Sequence, residues 1–172
     1  FSNNDYMFHV QNKGLADFLR REHNNIIATA SEYNGTQYTI NKTSQCYIDG
    51  AQPYSSIIYK RACWLADHAE SAVYVSQYYP TGKLGSLLKN ISMSYYINRP
   101  ENMRGLAKLM LIFDRWRCRI KNNYKKDRYL HAKFIIFTMQ DGTKIALTGS
   151  HNFSFAGVRF GTIEINMETS DH

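Results

Sequence analysis

Apolar and polar positions fall into blocks along the chain, and the clearest block lies in its last third. Residues 134–137 form a short continuous apolar run, as expected for a strand that is buried on both faces. Asp141 and Gly142 follow as a turn signal, because glycine readily adopts the positive φ that such turns need. Residues 144–147 then return as a second apolar strand. The pattern predicts a β-hairpin with its turn at Asp141 and Gly142.

The rest of the chain alternates between helix and strand patterns. Helices are indicated where apolar residues recur at spacings of three and four, and strands where short β-branched or aromatic runs are bounded by turn residues. Alternation of this kind predicts the α/β class. The predicted strands are 6–10, 26–29, 38–40, 72–77, 93–97 and 162–168, and the predicted helices run from Leu15 to near Asn24, from Ser55 or Ser56 to Glu70, from Lys83 to Asn90, and onward from Glu101.

The helix that begins near Glu101 carries a long apolar stripe. Its large apolar residues recur on one face, as in an amphipathic helix. No apolar run in the chain approaches the roughly 20 residues that a membrane-spanning helix needs, and no signal peptide opens the chain. The residues of the stripe are Leu106, Leu109, Met110, Phe113 and Trp116.

Polar residues cluster at one end of the predicted hairpin. His131 and Lys133 are two residues apart, so in extended backbone their side chains point to the same side, and Ser150 and Asn152 repeat this spacing on the returning strand. An imidazole, an ammonium, a hydroxyl and an amide together suit a phosphodiester substrate. The alternative is a buried strand with a satisfied histidine, which a lone His-x-Lys pair would favour. The combination of both pairs favours function.

This arrangement resembles the HxK…GSxN signature of the phospholipase D superfamily. The resemblance covers roughly residues 55–170. Residues 72–80 are similar to the strand and loop that open a family domain, and residues 161–165, which include Glu164, are similar to its final strand with an acidic residue. The family places an aspartate five residues after the lysine, where this chain has Thr138. Glu164 is therefore a better candidate than Asp141, at the hairpin tip, to orient His131.

The resemblance implies an α/β/α sandwich around a mixed sheet and phosphoryl transfer through a covalent phosphohistidine, without a metal or other cofactor. His131 is then a catalytic histidine, Lys133 and Asn152 hold the phosphoryl oxygens, and Ser150 supports them. Glu164 accepts a hydrogen bond from His131 Nδ1. The mechanism needs a second histidine, which implies a second copy of the motif, supplied by a homodimer mate or by an upstream domain.

The resemblance also suggests how the chain is divided. Residues 51–172 form the phospholipase D-like catalytic domain, whereas residues 1–50 are an N-terminal segment of uncertain assignment, which we interpret as the tail of a preceding domain. We expect the chain to be a fragment of a longer protein, because it begins at Phe1 rather than Met and ends abruptly at His172.

The loop that follows the strand at 72–77 is a candidate substrate pocket. Ligands in open α/β sheets commonly bind beyond the carboxyl ends of the strands. Gln77, Tyr78 and Tyr79 therefore are expected to line such a pocket, although tyrosines at these positions serve equally well as packing residues.

The net charge of +7 and the pI of about 9.3 favour an anionic partner: phospholipid, nucleic acid or an acidic membrane surface. The densest basic run lies at 115–128, just before His131. A solvated face explains such a run in most proteins, but its position here favours substrate steering or peripheral membrane contact. Three scattered cysteines without metal-ligand spacing indicate reduced thiols. We expect a location in the cytoplasm or at the membrane periphery.

The preferred substrate is phospholipid, for phosphatidyl transfer as in cardiolipin synthases or for hydrolysis. The loop at 76–80 and the ending at 161–165 resemble bacterial lipid enzymes of the superfamily more than its small nucleases. One alternative is a metal-independent endonuclease, which the basic charge permits equally. Another is a catalytically inactive binding module, which the Thr138 departure and the single motif copy leave open.

Overall fold

The computed structural model describes residues 9–171. Helices and strands alternate along this part of the chain, with short 3₁₀ turns at Ala30–Glu32 and Pro100–Asn102. The helices are α1 (Lys13–Thr29), α2 (Ile57–His68), α3 (Gly82–Leu88), α4 (Gly105–Cys118) and α5 (Phe155–Phe160). The strands are β1 (Gly35–Asn41), β2 (Ser44–Asp49), β3 (Ala69–Ser76), β4 (Ser92–Ile97), β5 (Phe134–Met139), β6 (Lys144–Gly149) and β7 (Ile165–Ser170).

The seven strands form one mixed sheet in the order β1-β2-β7-β6-β5-β3-β4. β3 and β4 are parallel, and every other neighbouring pair is antiparallel. The predicted hairpin is formed by β5 and β6, with Phe134 opposite Thr148 and Gly142 at a φ of +86° in the turn. The α/β class and the mixed sheet are therefore confirmed.

Helices cover both faces of the sheet. Along β2, Tyr47 faces the main core, which contains α2, α3 and Leu111 of α4, whereas its neighbours Cys46 and Ile48 face α1. This alternation follows the two-residue period of a strand, which gives a central strand one side chain for each layer in turn. The result is the predicted α/β/α sandwich. Cys46, Cys63 and Cys118 are free thiols, as predicted.

The N-terminal residues join this sheet. β2 pairs with β7, and β1 pairs with β2 on the outer edge, so the predicted division at residue 50 runs through one continuous sheet. The predicted strand at 6–10 lies mostly outside the described residues, and its last two positions are in no strand. Residues 35–49 are therefore part of the same sheet as the strands that carry the motif.

The predictions for residues 15–29 were wrong in one respect. Helix α1 does not end near Asn24 but continues to Thr29, so the strand predicted at 26–29 is helical. The β-branched residue Ile26 suggested a strand, yet it packs on the small core formed with Leu15 and Phe18. Tertiary packing of this kind overrides weak local propensity.

Helix α4 packs on the core through the side opposite its apolar stripe. Its buried side chain is Leu111, with Ala107 and Cys118 packed against the core beside it. The apolar stripe identified in the sequence points away from the core and is exposed. Within residues 9–171, no helix combines the length and apolarity that crossing a bilayer requires. The exposed residues of the stripe are Leu106, Leu109, Met110, Phe113 and Trp116.

Two phenylalanines test this placement of the core. We expect Phe137→Ala to lower the free energy of unfolding by about 3–5 kcal/mol, because Phe137 is fully buried in β5 and its loss leaves a cavity. Phe113→Ala, on the exposed side of α4, should change it by no more than about 0.5 kcal/mol. Urea denaturation of both variants measures the difference. Equal losses would contradict the orientation of α4.

Candidate active site

Four strand ends meet at one end of the sheet. β5 and β7 begin there, and β3 and β6 end there, because β5 is antiparallel to both β3 and β6 and β6 is antiparallel to β7. The residues that adjoin these ends are therefore brought together from distant parts of the sequence. They include the predicted site residues His131, Lys133, Ser150, Asn152, Glu164 and Gln77.

Lys133 is held firmly beside His131. Its side chain is buried, and its Nζ donates a hydrogen bond of 2.8 Å to the His131 carbonyl oxygen. Its own carbonyl oxygen accepts from Gly149 N at 3.2 Å and from Thr148 Oγ1 at 3.3 Å. These contacts fasten the segment before β5 to the end of β6. The Lys133 ammonium is thus bonded to the backbone of the half-buried His131.

A buried asparagine fixes the segment that leads to His131. Asn98, just after β4, accepts from Leu130 N at 2.7 Å and donates to Leu130 O at 2.6 Å. This pair of bonds imitates a strand ladder where no strand exists. No local pattern in the sequence indicates this role, because the two residues lie 32 positions apart.

Tyr129 links the predicted pocket to His131. The rings of Tyr129 and His131 stack with centroids 6.0 Å apart and an interplanar angle of 27°, and Gln77 Nε2 donates to the Tyr129 hydroxyl. Gln77 is therefore connected to the histidine through the tyrosine. Sequence reasoning missed Tyr129, although its position two residues before His131 indicates the same side of extended backbone.

The tyrosines of the predicted pocket separate. Tyr79 is buried in the main core, so packing accounts for most of its surface. Tyr78 is half-buried and lines a groove between α4 and α5, together with Ser154. Only Tyr78 of the pair thus lies on an open surface that adjoins the site.

The returning strand places Ser150 and Asn152 by backbone bonds. Ser150 Oγ accepts from Ile165 N at 2.9 Å, which ties it to the start of β7. The Asn152 carbonyl accepts from Ser76 Oγ at 3.1 Å and from Tyr74 OH at 3.3 Å. Asn152 Oδ1 is buried and has no hydrogen-bond partner among the described residues. A buried polar atom without a partner is costly, and functional sites are among the places that retain one.

Glu164 and the hairpin tip occupy different ends of the sheet. Glu164 directly precedes β7, and its carbonyl accepts from Asp49 N at 2.8 Å. Thr138, which stands where the family has aspartate, pairs with Lys144 next to the turn, and Asp141 lies in that turn. Asp141 therefore lies at the far end of β5 from His131, whereas Glu164 lies at the near end.

Asp49 and His151 form a buried pair that the sequence did not reveal. Asp49 accepts from Ser56 Oγ at 2.5 Å and from Ile58 N at 2.9 Å. His151 Nδ1 accepts from Phe153 N at 2.8 Å, so the neutral ring carries its proton on Nε2, which lies 3.8 Å from Asp49 Oδ2. His151 lies between Ser150 and Asn152, so the pair supports the turn that carries these two residues.

Burial shifts the pKa of each residue of this pair in the direction that favours its neutral form. Desolvation raises the pKa of Asp49, and the negative charge of Glu164 adds to that rise, although hydrogen bonds from Ile58 and Ser56 oppose it. Desolvation lowers the pKa of His151 to about 4. Within residues 9–171, no group of three or more His, Cys, Asp or Glu side chains is placed to hold a metal ion.

Solved structures resemble this chain, although no protein-family model and no curated protein matches it. The phosphatidylserine synthase of Haemophilus influenzae matches with a TM-score of 0.55 and 12% identity, over 96% of this chain and 43% of that chain. Nuc from Salmonella typhimurium, a phospholipase D family member, matches with a TM-score of 0.46 and 17% identity, over 73% of this chain and 82% of that one. NucT from Helicobacter pylori matches with a TM-score of 0.42 and 12% identity, over 66% of this chain and 77% of that one. The match to the phosphatidylserine synthase shows that the chain shares the fold of that protein.

The buried histidine makes stability depend on pH. Between pH 7 and pH 5 the unfolded chain takes up a proton at residue 151, whose unfolded pKa is about 6.5, whereas folded His151 does not. We therefore expect this residue to withdraw about 2 kcal/mol of stability as the pH falls from 7 to 5. The raised pKa of Asp49 acts in the opposite direction.

A comparison with His151→Gln isolates the histidine, because Asp49 remains in both proteins. The wild type should lose more stability than the variant over the same pH interval, as measured by urea denaturation at pH 7 and pH 5. An equal loss in both proteins would show that His151 does not stay neutral.

Proposed function

We propose that this chain supplies catalytic residues to a phospholipase D-type phosphodiesterase or phosphatidyltransferase. The observation that carries the proposal is the meeting of His131, Lys133, Ser150 and Asn152 at adjoining strand ends. A nucleophile or proton carrier, a cation and neutral donors are the groups that phosphoryl transfer requires. The fold alone does not carry this proposal, because one fold hosts many functions.

In the proposed reaction, His131 attacks the phosphorus of a diester. A nitrogen–phosphorus bond forms, the bond to the leaving oxygen breaks, and a second histidine gives that oxygen a proton. The second histidine then takes a proton from water or from an acceptor alcohol, whose oxygen displaces His131 and ends the cycle. Covalent catalysis of this kind divides one difficult displacement into two easier ones.

The remaining site residues orient and stabilise. Lys133, fixed against the His131 carbonyl, offers its charge to the non-bridging phosphoryl oxygens. Asn152 contributes its side-chain amide. Ser150, whose Oγ is bonded to the first residue of β7, supports Asn152. Glu164 accepts from His131 Nδ1 and so leaves Nε2 as the attacking atom, as a carboxylate does in a catalytic triad. We propose no metal or other cofactor.

The second histidine comes from another copy of the motif. His151 does not serve, because it is buried with its ring against Asp49 and Tyr59. Either a two-fold homodimer pairs identical motifs, or an upstream domain of the same polypeptide carries the second one. Activity per chain that falls together with dimer mass on dilution supports the first solution. A strictly monomeric, fully active 172-residue chain would contradict both.

Phospholipid is the substrate we favour. The loop and strand ending that resemble lipid enzymes adjoin the site, and the matched phosphatidylserine synthase shares the fold over nearly the whole chain. The second candidate is a metal-independent endonuclease, favoured by the basic segment at 115–128. An inactive binding module is the third reading. Turnover, rather than binding, separates the three, because both substrates are anionic.

We expect the wild-type protein with both motif copies, as the dimer or the full polypeptide, to release product from phosphatidylglycerol vesicles and none from single-stranded DNA in the presence of excess EDTA. His131→Ala should lower the turnover rate by several orders of magnitude, because the variant lacks the nucleophile. Product analysis by mass spectrometry measures both. DNA cleavage without lipid product would instead support the endonuclease.

His68→Ala is the matched control, since His68 is exposed at the end of α2, just before the start of β3, at the opposite end of the sheet from the site. It should keep the wild-type rate, and both variants should keep the wild-type melting temperature. Turnover by His131→Ala at the wild-type rate would overturn the site assignment. A requirement for a divalent ion would overturn the metal-free mechanism.

A further inference from the structure

We infer that the outward face of α4 docks onto the surface of an anionic phospholipid bilayer, beside the candidate site. The inference rests on the proposed function and deepens it, because it assigns a defined surface to contact the membrane that contains the lipid substrate. We define the α4 surface as the exposed apolar residues of α4 and the exposed phenylalanine that ends α5. They are Leu106, Leu109, Met110, Ile112, Phe113, Trp116 and Phe160.

The α4 surface is wide and points directly away from the core. At about 100° per residue, its α4 members span an arc of roughly 160°, whose centre lies opposite Leu111. Trp116 is 74% exposed, Leu109 64% and Phe113 58%. A helix that is apolar on both sides is normally buried on both sides. The outward side of α4 therefore indicates a partner that accepts aliphatic and aromatic side chains.

The charge of the surrounding segment identifies this partner as anionic. Residues 104–128 contain nine Lys and Arg and two Asp, a net charge of +7. The rest of the chain contains 12 basic and 12 acidic residues, so its net charge is zero. The whole positive excess thus lies on α4 and the loop that follows it. On the helix itself, Lys108 and Arg115 border one side of the arc, and Arg117 lies at the other.

An apolar face flanked by basic residues is the pattern of helices that lie in the interface of an anionic membrane. Nucleic acid accounts for the charge but not for the exposed Leu and Met side chains, because backbone phosphates give them no apolar partner. A second copy of this chain accounts for the apolar surface but would bring two strongly positive segments together. An anionic bilayer accommodates both features at once.

The position of the α4 surface fits the proposed reaction. A groove joins α4 to the site end of the sheet, and its lining includes Met110 and Arg117 of α4, Tyr78, and Ser154 two residues after Asn152. Phe160 lies on the same groove. A bilayer in contact with α4 would therefore present lipid headgroups at a groove whose lining includes residues adjacent in sequence to the candidate site.

The test measures binding without turnover. In a Trp64→Phe background, Trp116 is the single tryptophan. Its fluorescence emission maximum should shift to the blue when vesicles of equal phosphatidylglycerol and phosphatidylcholine are added. Pure phosphatidylcholine vesicles should give no shift, and added NaCl should weaken the binding. Leu109→Ser should weaken binding about tenfold, because one large apolar side chain no longer leaves water.

Ile27→Ser is the matched control, since Ile27 is an aliphatic residue 68% exposed on α1. It should bind vesicles as the wild type does, and His131→Ala should do so too, which separates docking from the proposed chemistry. No binding to the anionic vesicles, or equal binding to both vesicle types, would overturn the inference. So would equal binding by Leu109→Ser, or a wild-type dimer that Leu109→Ser dissociates while vesicles bind neither protein.

Discussion

The antiparallel register of β6 between β5 and β7 is the constraint on which the candidate site depends. Phe134 lies opposite Thr148, and Gly149 lies opposite Asn166, so the residues just beyond the strands meet in space. The bonds from Gly149 and Thr148 to the Lys133 carbonyl close this end of the sheet. A slip of one residue would turn every side chain to the opposite face, and Lys133 and Ser150 would no longer share one site.

A layer of buried polar groups beneath the strand ends maintains this register. Asn98 holds the backbone before His131, and Asp49 and His151 support the turn after β6. Such groups add little to stability when fully bonded, and they are costly when a partner is lost. The observed layer therefore favours one arrangement of the strand ends over its alternatives, and that arrangement is the one that the proposed chemistry requires.

The sequence predicted the hairpin and the meeting of its polar residues, because both follow from local periodicity and short spacing. Asn98 and Asp49 could not be found in this way, since their partners lie many residues away and neither belongs to a motif. Helix α4 shows a different limit. Its periodicity correctly indicated a helix with a broad apolar stripe, but periodicity does not show which side of a helix the rest of the chain covers.

A trapped intermediate tests the central claim, that His131 reacts with phosphorus, most directly. The active protein would be mixed with a phosphodiester substrate, quenched in base, which preserves phosphohistidine, and digested for mass spectrometry. The account predicts a substrate-derived phosphoryl group on His131, in the peptide that contains this residue. It predicts no such group on the other five histidines of the chain. Product formation with His131 unmodified at every time point would contradict it.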